Sequence, residues 1–362
     1  MNYKDLIKEK LAKLLFLEID WEKFKGSVGI PSNIKLKTKD IYIPISSKYV
    51  ADNATDSIKV KNLPIYYFIE GMLIALGADK NLAYTEDYII IFNNLKDSEA
   101  CGRALVADNI KKDELLEAYL LLKGLYLATG DEEYLKKQLL VEESIREKDS
   151  GFSNILLADC DEALEEFEDM PEPHLYRAIY YKEKSDIQKA KVEINEYLRL
   201  GGETNEDIDI IINDINNLSS YEKAIENIDE DPAKSIGTFL SLLEQFDKNP
   251  LLYYYLAVAY RKLDNYEKAI YYLNESLTLE SGIAEVINEL GINYACLGDY
   301  NTALKYFKKV FEASKDIEAC TNIVMCYIKL GDKEQAKLNL DIAKKLDPTD
   351  EIVCDLDRML AE

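Results

Sequence analysis

KSIGTFLSLL (234–243), KAIYYLNESL (268–277), TALKYFKKVF (302–311) and QAKLNLDIAK (335–344) are one pattern written four times. Superposed, they place a small residue at Ser235, Ala269, Ala303 and Ala336, at steps of 34, 34 and 33 residues. Ahead of the last three lie apolar stretches whose tyrosines, Tyr260, Tyr294 and Tyr327, keep the same spacing. The turns KLDNY, CLGDY and KLGDK follow them. Apolar residues at helical spacing on both sides of a short turn predict a helical hairpin repeated at a fixed period. A lone hairpin leaves one face bare, so at least about three must stack before the array is stable.

The segment 250–350 resembles tetratricopeptide repeats. That motif has a bulky residue, a small one and a tyrosine in its first helix. The second helix carries alanine, an aromatic or leucine, a small residue, and a closing proline. Here Tyr253, Leu256, Ala257, Tyr260, Ala269, Leu273 and Ser276 fit one repeat. Ile287, Leu290, Gly291, Tyr294, Ala303 and Phe307 fit the next, which departs at Val310. Cys320, Ile323, Val324, Tyr327, Ala336, Leu340, Ala343 and Pro348 fit the third, with Val324 larger than the pattern prefers. Ala257 and Gly291 let paired helices approach, and Tyr260 and Tyr294 are expected to fill the wedge between successive hairpins. The fold implied is mainly α, a tetratricopeptide-type α-solenoid of helical hairpins with a small N-terminal α/β domain.

Five segments follow. Residues 1–108 lack the period and form the head, for which no family is recognised. SNIKLKTKDIYIPI reads as a hairpin turning at 37–40, and SIKVK from Ser57 as a third strand. MNYKDLIKEKLAKLLFLEID reads as one amphipathic helix rather than a secretory signal, and a further helix opens at Pro64 and closes at Gly77. Residues 109–168 hold degenerate repeats, with Tyr126 and a turn at Thr129, Gly130 and Asp131. Residues 169–249 hold divergent repeats carrying Ala178, Tyr181, Ala190, Ile194 and Tyr197, with an insertion near 204–231 read as helices at about 206–218 and 221–229. Residues 250–349 are the three clear repeats, and 350–362 a capping helix with Ile352, Val353, Leu356 and Leu360 inward.

The chain has 362 residues, 68 acidic against 44 basic, and a net charge of −24. Residues 151–250 alone carry 24 acidic and 9 basic side chains, whereas residues 1–61 carry 12 basic and 8 acidic. Such a field repels phosphate backbones and anionic membranes, so neither nucleic acid nor membrane is expected as a partner. The acidic waist reads as solvated helix surface, with steering of a basic partner or docking of the head as alternatives. The most apolar stretch, 63–77, falls short of the ~20 residues that cross a bilayer. Six scattered cysteines without a C-x-x-C pair, and one histidine, predict no disulfide framework, no metal site and no cofactor, in a cytoplasmic setting.

No glycine-rich phosphate loop, H-E-x-x-H or G-x-S-x-G is present, and no enzymatic activity is expected. The sharpest catalytic alternative is Glu70 in IYYFIEGMLIALG, a carboxylate on an apolar helix; the bland reading is a hydrogen-bonded or edge glutamate. His174 and the cysteines Cys320 and Cys326 read as packing residues. The resemblance implies instead a concave groove lined by first helices. Its fifth and ninth positions are Leu175 and Ile179, Tyr254 and Val258, Asn288 and Ile292, and Thr321 and Met325, with Lys182, Arg261, Lys262 and Lys329 near the helix ends. The lysine and asparagine that clamp a C-terminal carboxylate in some of these proteins are missing from those positions. The function expected is a non-catalytic scaffold or adaptor holding a peptide or partner domain in that groove. The alternative is a peptide-gated regulator of a low-GC bacterium. The sequence leaves self-association open.

Overall fold

The computed structural model describes residues 2–46, 64–246 and 248–361; the strand expected at 57–61 lies outside them. The chain divides into two compact units, residues 1–212 and 213–362.

In the first unit, α1 (Tyr3–Ala12) leads to β1 (Leu15–Ile19), α2 (Trp21–Val28) and β2 (Ile41–Ile45). β1 pairs antiparallel with β2, Leu17 opposite Ile43. This corrects two expectations: the N-terminal helix stops at Ala12, and residues 32–45 form no hairpin of their own. The physical reason lies in Asp87, which is 1% exposed and accepts from the amides of Lys37 (2.6 Å) and Thr38 (3.2 Å) and from the Thr38 hydroxyl. Those amides are taken by a carboxylate, so β2 is left to find its partner in Leu15–Ile19. Asp87→Ala is therefore expected to cost about 2 kcal/mol, read as a lowered urea midpoint.

Helices α3 (Ile65–Ala78), α4 (Thr85–Asn94), α5 (Ser98–Lys111), α6 (Leu115–Thr129), α7 (Glu132–Lys148) and α8 (Ser153–Glu166) follow, a 3₁₀ turn at Ser150–Phe152 preceding the last. α3 is buried along most of its length and lies directly on α6. A Cβ on Gly77 would stand 2.0 Å from the Leu120 carbonyl oxygen, and one on Gly124 2.1 Å from that of Leu73. The helix closes one residue beyond Gly77, at Ala78, and Gly77 is also a crossing point. Hairpin α9 (Glu172–Glu183) and α10 (Ile187–Arg199) completes the unit before α11 (Glu206–Glu226). The two helices expected within 204–231 are therefore one. Nothing near Ser219 and Ser220 breaks it, and the Ser220 hydroxyl donates back to the Asn216 carbonyl at 2.8 Å.

The second unit is a row of helical hairpins. α12 (Pro232–Leu243) packs on α13 (Pro250–Lys262), which pairs with α14 (Tyr266–Leu279). Then come α15 (Ala284–Cys296) with α16 (Tyr300–Ser314), α17 (Ile317–Leu330) with α18 (Lys333–Leu346), and α19 (Glu351–Ala361) as a cap. Each turn works the same way. Asp264, Gly298 and Gly331 take left-handed backbone (φ +55°, +82°, +76°), and the next residue caps the second helix, Asn265, Asp299 and Asp332 accepting from the amides of Lys268, Thr302 and Gln335. Ser235, Ala269, Ala303 and Ala336 are all buried.

Tyr260 and Tyr294 stack on Tyr272 and Tyr306 at 5.4 and 5.6 Å, within their own hairpins. These rings lock each hairpin internally, where the wedge between hairpins was expected. On the cap, Val353, Leu356 and Leu360 face inward, whereas Ile352 is 52% exposed. At 100° per residue, Ile352 falls beside the i, i+3, i+7 stripe that the inward three define.

Candidate partner-binding face

In the second unit the first helices of successive hairpins lie side by side and are bridged. The Arg261 Nε of α13 donates to the Glu289 carboxylate of α15, and the Asn288 amide of α15 lies 3.4 Å from Glu318 Oε1 of α17. Glu289 is 5% exposed and also accepts from the side chain of Asn293, itself fully buried. At the equivalent position of each repeat stands one apolar side chain, Val258, Ile292 and Met325, each half-buried. Tyr254 stands beside Val258, half-buried and edge-on to Tyr255 at 5.1 Å. Burial, followed by the nearby Glu289 charge, pushes its phenol up to about 12. It therefore presents an uncharged hydroxyl over the whole physiological range.

The residues expected to line a groove are not equivalent. Leu175, Ile179 and Lys182 belong to α9 in the first unit, where Leu175 is buried and Ile179 packs on the core. Thr321 is 3% exposed and turns its hydroxyl back to the Glu318 carbonyl at 2.9 Å. Arg261 is bound to Glu289, and Lys262 pairs with Asp229 at 2.5 Å, so the cations at this end of the face are internally neutralised. Tyr254, Val258, Asn288, Ile292 and Met325 retain partial exposure. Glu289 and Asn293 gave no sequence signal, because a buried acid–amide pair on a repeat helix reads as ordinary polar surface until its neighbours are known.

His174 lies beside Glu193, its Nδ1 2.6 Å from the carboxylate, which also takes Arg177 at 2.8 Å. Glu70 sits within α3 at 6% exposure. Cys320 and Cys326 are both buried, and burial raises their thiols, that of Cys326 to about 11. Among the described residues no group of three or more His, Cys, Asp or Glu is placed to hold a metal ion, and no helix is long and apolar enough to cross a membrane.

Comparison with known proteins bears on the same stretch. Family models described as tetratricopeptide repeat match residues 248–316 and 317–350. A curated human protein, intraflagellar transport protein 88 homolog, is 21% identical over 47% of this chain. The chain spans 22% of that relative's length. Among solved structures, the C-terminal part of a tetratricopeptide-repeat protein from Cytophaga hutchinsonii is 17% identical (TM-score 0.45, 60% of this chain, 98% of that one). PilW, titled a type IV pilus biogenesis factor, is also 17% identical (TM-score 0.37, 62% of this chain, 97% of that one). With the 34-residue step, the left-handed turn residues and the buried small positions already in place, residues 248–350 are tetratricopeptide repeats.

Proposed function

We propose that this protein is a non-catalytic interaction scaffold and that a peptide or helical segment of a partner protein lies across the first helices of the repeats. The observation that carries this reading is the row Val258, Ile292 and Met325, one apolar side chain per repeat, left half-open beside Tyr254. Neighbouring packed helices stand about 8–10 Å apart. A row at that step matches every third residue of a polyproline II segment, about 9 Å, or every seventh of a helix, about 10 Å. Neutralisation of Arg261 and Lys262 supports contacts dominated by apolar and aromatic side chains over a charge clamp. Tyr254→Ala combined with Ile292→Asp is expected to remove captured partners at least tenfold in pull-downs from the native cell, with the far-UV circular dichroism of the chain unchanged. An unaltered partner profile from the folded double variant would refute the proposal.

A further inference from the structure

A polar cluster lies inside the first unit, remote in sequence from the repeats. Glu142 of α7 is wholly buried, and three other polar residues around it, Tyr119 of α6, Gln138 of α7 and Asp159 of α8, are each at most 6% exposed. Gln138 Nε2 donates to Glu142 Oε1 at 2.8 Å and to Asp159 Oδ2 at 3.1 Å, so one amide serves two carboxyl groups. Asp159 additionally receives the Tyr119 hydroxyl at 2.9 Å and Lys123 Nζ at 2.7 Å. Glu142 Oε2 is buried with no hydrogen-bond partner.

The charge count does not close if both acids ionise. Two carboxylates against one ammonium leave a net negative charge in a buried site, which costs several kcal/mol. Nearby ionisable groups do not supply the balance. On α7, Arg146 is engaged by Glu143 and Glu183. On α8, Cys160 is a buried neutral thiol and Glu162 is paired with Lys80. On α9, Tyr176 is buried and Arg177 is held by Asp161 and Glu193. The 3₁₀ turn before α8 contributes Phe152, which is apolar.

We infer that the Glu142–Asp159 pair is a protonation site: it holds one proton in the native state, resident on Glu142, and its loss loosens the junction of α6, α7 and α8. Asp159, with three donors, keeps the negative charge; Glu142, with one, keeps the proton. Burial first, and the Asp159 charge second, hold the Glu142 carboxyl well above the usual range. For Lys123, burial opposes its charge, and the charge and hydrogen bond of Asp159 together with the acids Glu142 and Glu162 offset it, so the ammonium is retained. A cavity of about 80 Å³ lined by Asp159, Gln138 and Lys123 reaches the partners of Glu142.

The sign follows from linkage. Unfolded, Glu142 titrates at about 4.3; folded, it titrates higher. Between those values the native state binds one more proton, so stability is full below about pH 4 and is lost as pH rises toward the raised value. One proton corresponds to a tenfold increase in the unfolding constant per pH unit.

The test uses the full chain, with unfolding followed by Trp21, the single tryptophan, which lies in this unit. From about pH 5 up to the raised value, the unfolding constant of the wild type is expected to rise up to roughly tenfold more per pH unit than that of Glu142→Gln. In ¹³C-glutamate-labelled wild type, one carboxyl resonance is expected to titrate far above the rest. It is expected to disappear in Glu142→Gln and to return toward the ordinary range in Asp159→Asn, where Lys123 remains. Equal pH slopes for wild type and Glu142→Gln, or a wild type in which every glutamate titrates in the ordinary range, would overturn the inference. The wild-type titration decides the matter even where a variant does not fold.

Discussion

Gly124→Val is expected to lower the stability of the first unit by at least about 3 kcal/mol, seen as a large fall in the urea midpoint. The helix α6 crosses α3 so closely that the first side-chain carbon at this position would lie 2.1 Å from a backbone oxygen, that of Leu73. A flexible side chain turns aside; a carbonyl in a buried helix does not. The crossing is reciprocal, with Gly77 against the Leu120 carbonyl, so relief at one end presses on the other. Against a total stability of about 5–15 kcal/mol, the loss is a large fraction. Gly26, also in a helix but with nothing within 4 Å of where a methyl group would sit, provides the contrast: Gly26→Ala is expected to raise stability by up to about 1 kcal/mol.

Phe307→Ala is expected to cost the second unit about 3–5 kcal/mol. Phe307 is 2% exposed on α16, and its ring edge rests on the backbone of Gly291 in α15: a Cβ there would come within 2.6 Å of it. The ring fills the space that the missing side chain leaves, so truncation opens a cavity that neither helix can close. Phe307→Leu, which keeps most of the volume, is expected to cost less than half as much in the same denaturation experiment.

These two sites differ in how far they could be read beforehand. Gly291 and Phe307 recur at positions where Ala257 and Leu273 stand one period earlier, so a repeat exposes the packing rule by restating it. Gly77 and Gly124 occur once each. In a sequence, a glycine at the end of an apolar run looks like a helix stop; only the second helix shows it to be a crossing. The strand at Leu15–Ile19 was hidden for a related reason, since its apolar residues continue the helical rhythm of Tyr3–Ala12 and its partner lies more than twenty residues away. The protonation site was invisible because Tyr119, Gln138, Glu142 and Asp159 come from three helices and share no local motif. On the candidate partner-binding face, helical periodicity identifies which face of a first helix Thr321 occupies. It does not show that its hydroxyl turns back to the Glu318 carbonyl and that it is covered.

Whether partners meet the first helices of the repeats is tested most directly by photo-crosslinking in the native cell. Photo-reactive side chains are placed singly at Val258, Ile292 and Met325, and for comparison at Tyr271 and Leu338 on second helices, where both side chains are more than half exposed. Adducts to one common partner from the first-helix positions, and none from Tyr271 or Leu338, are predicted. Adducts from the second-helix positions alone would contradict the account.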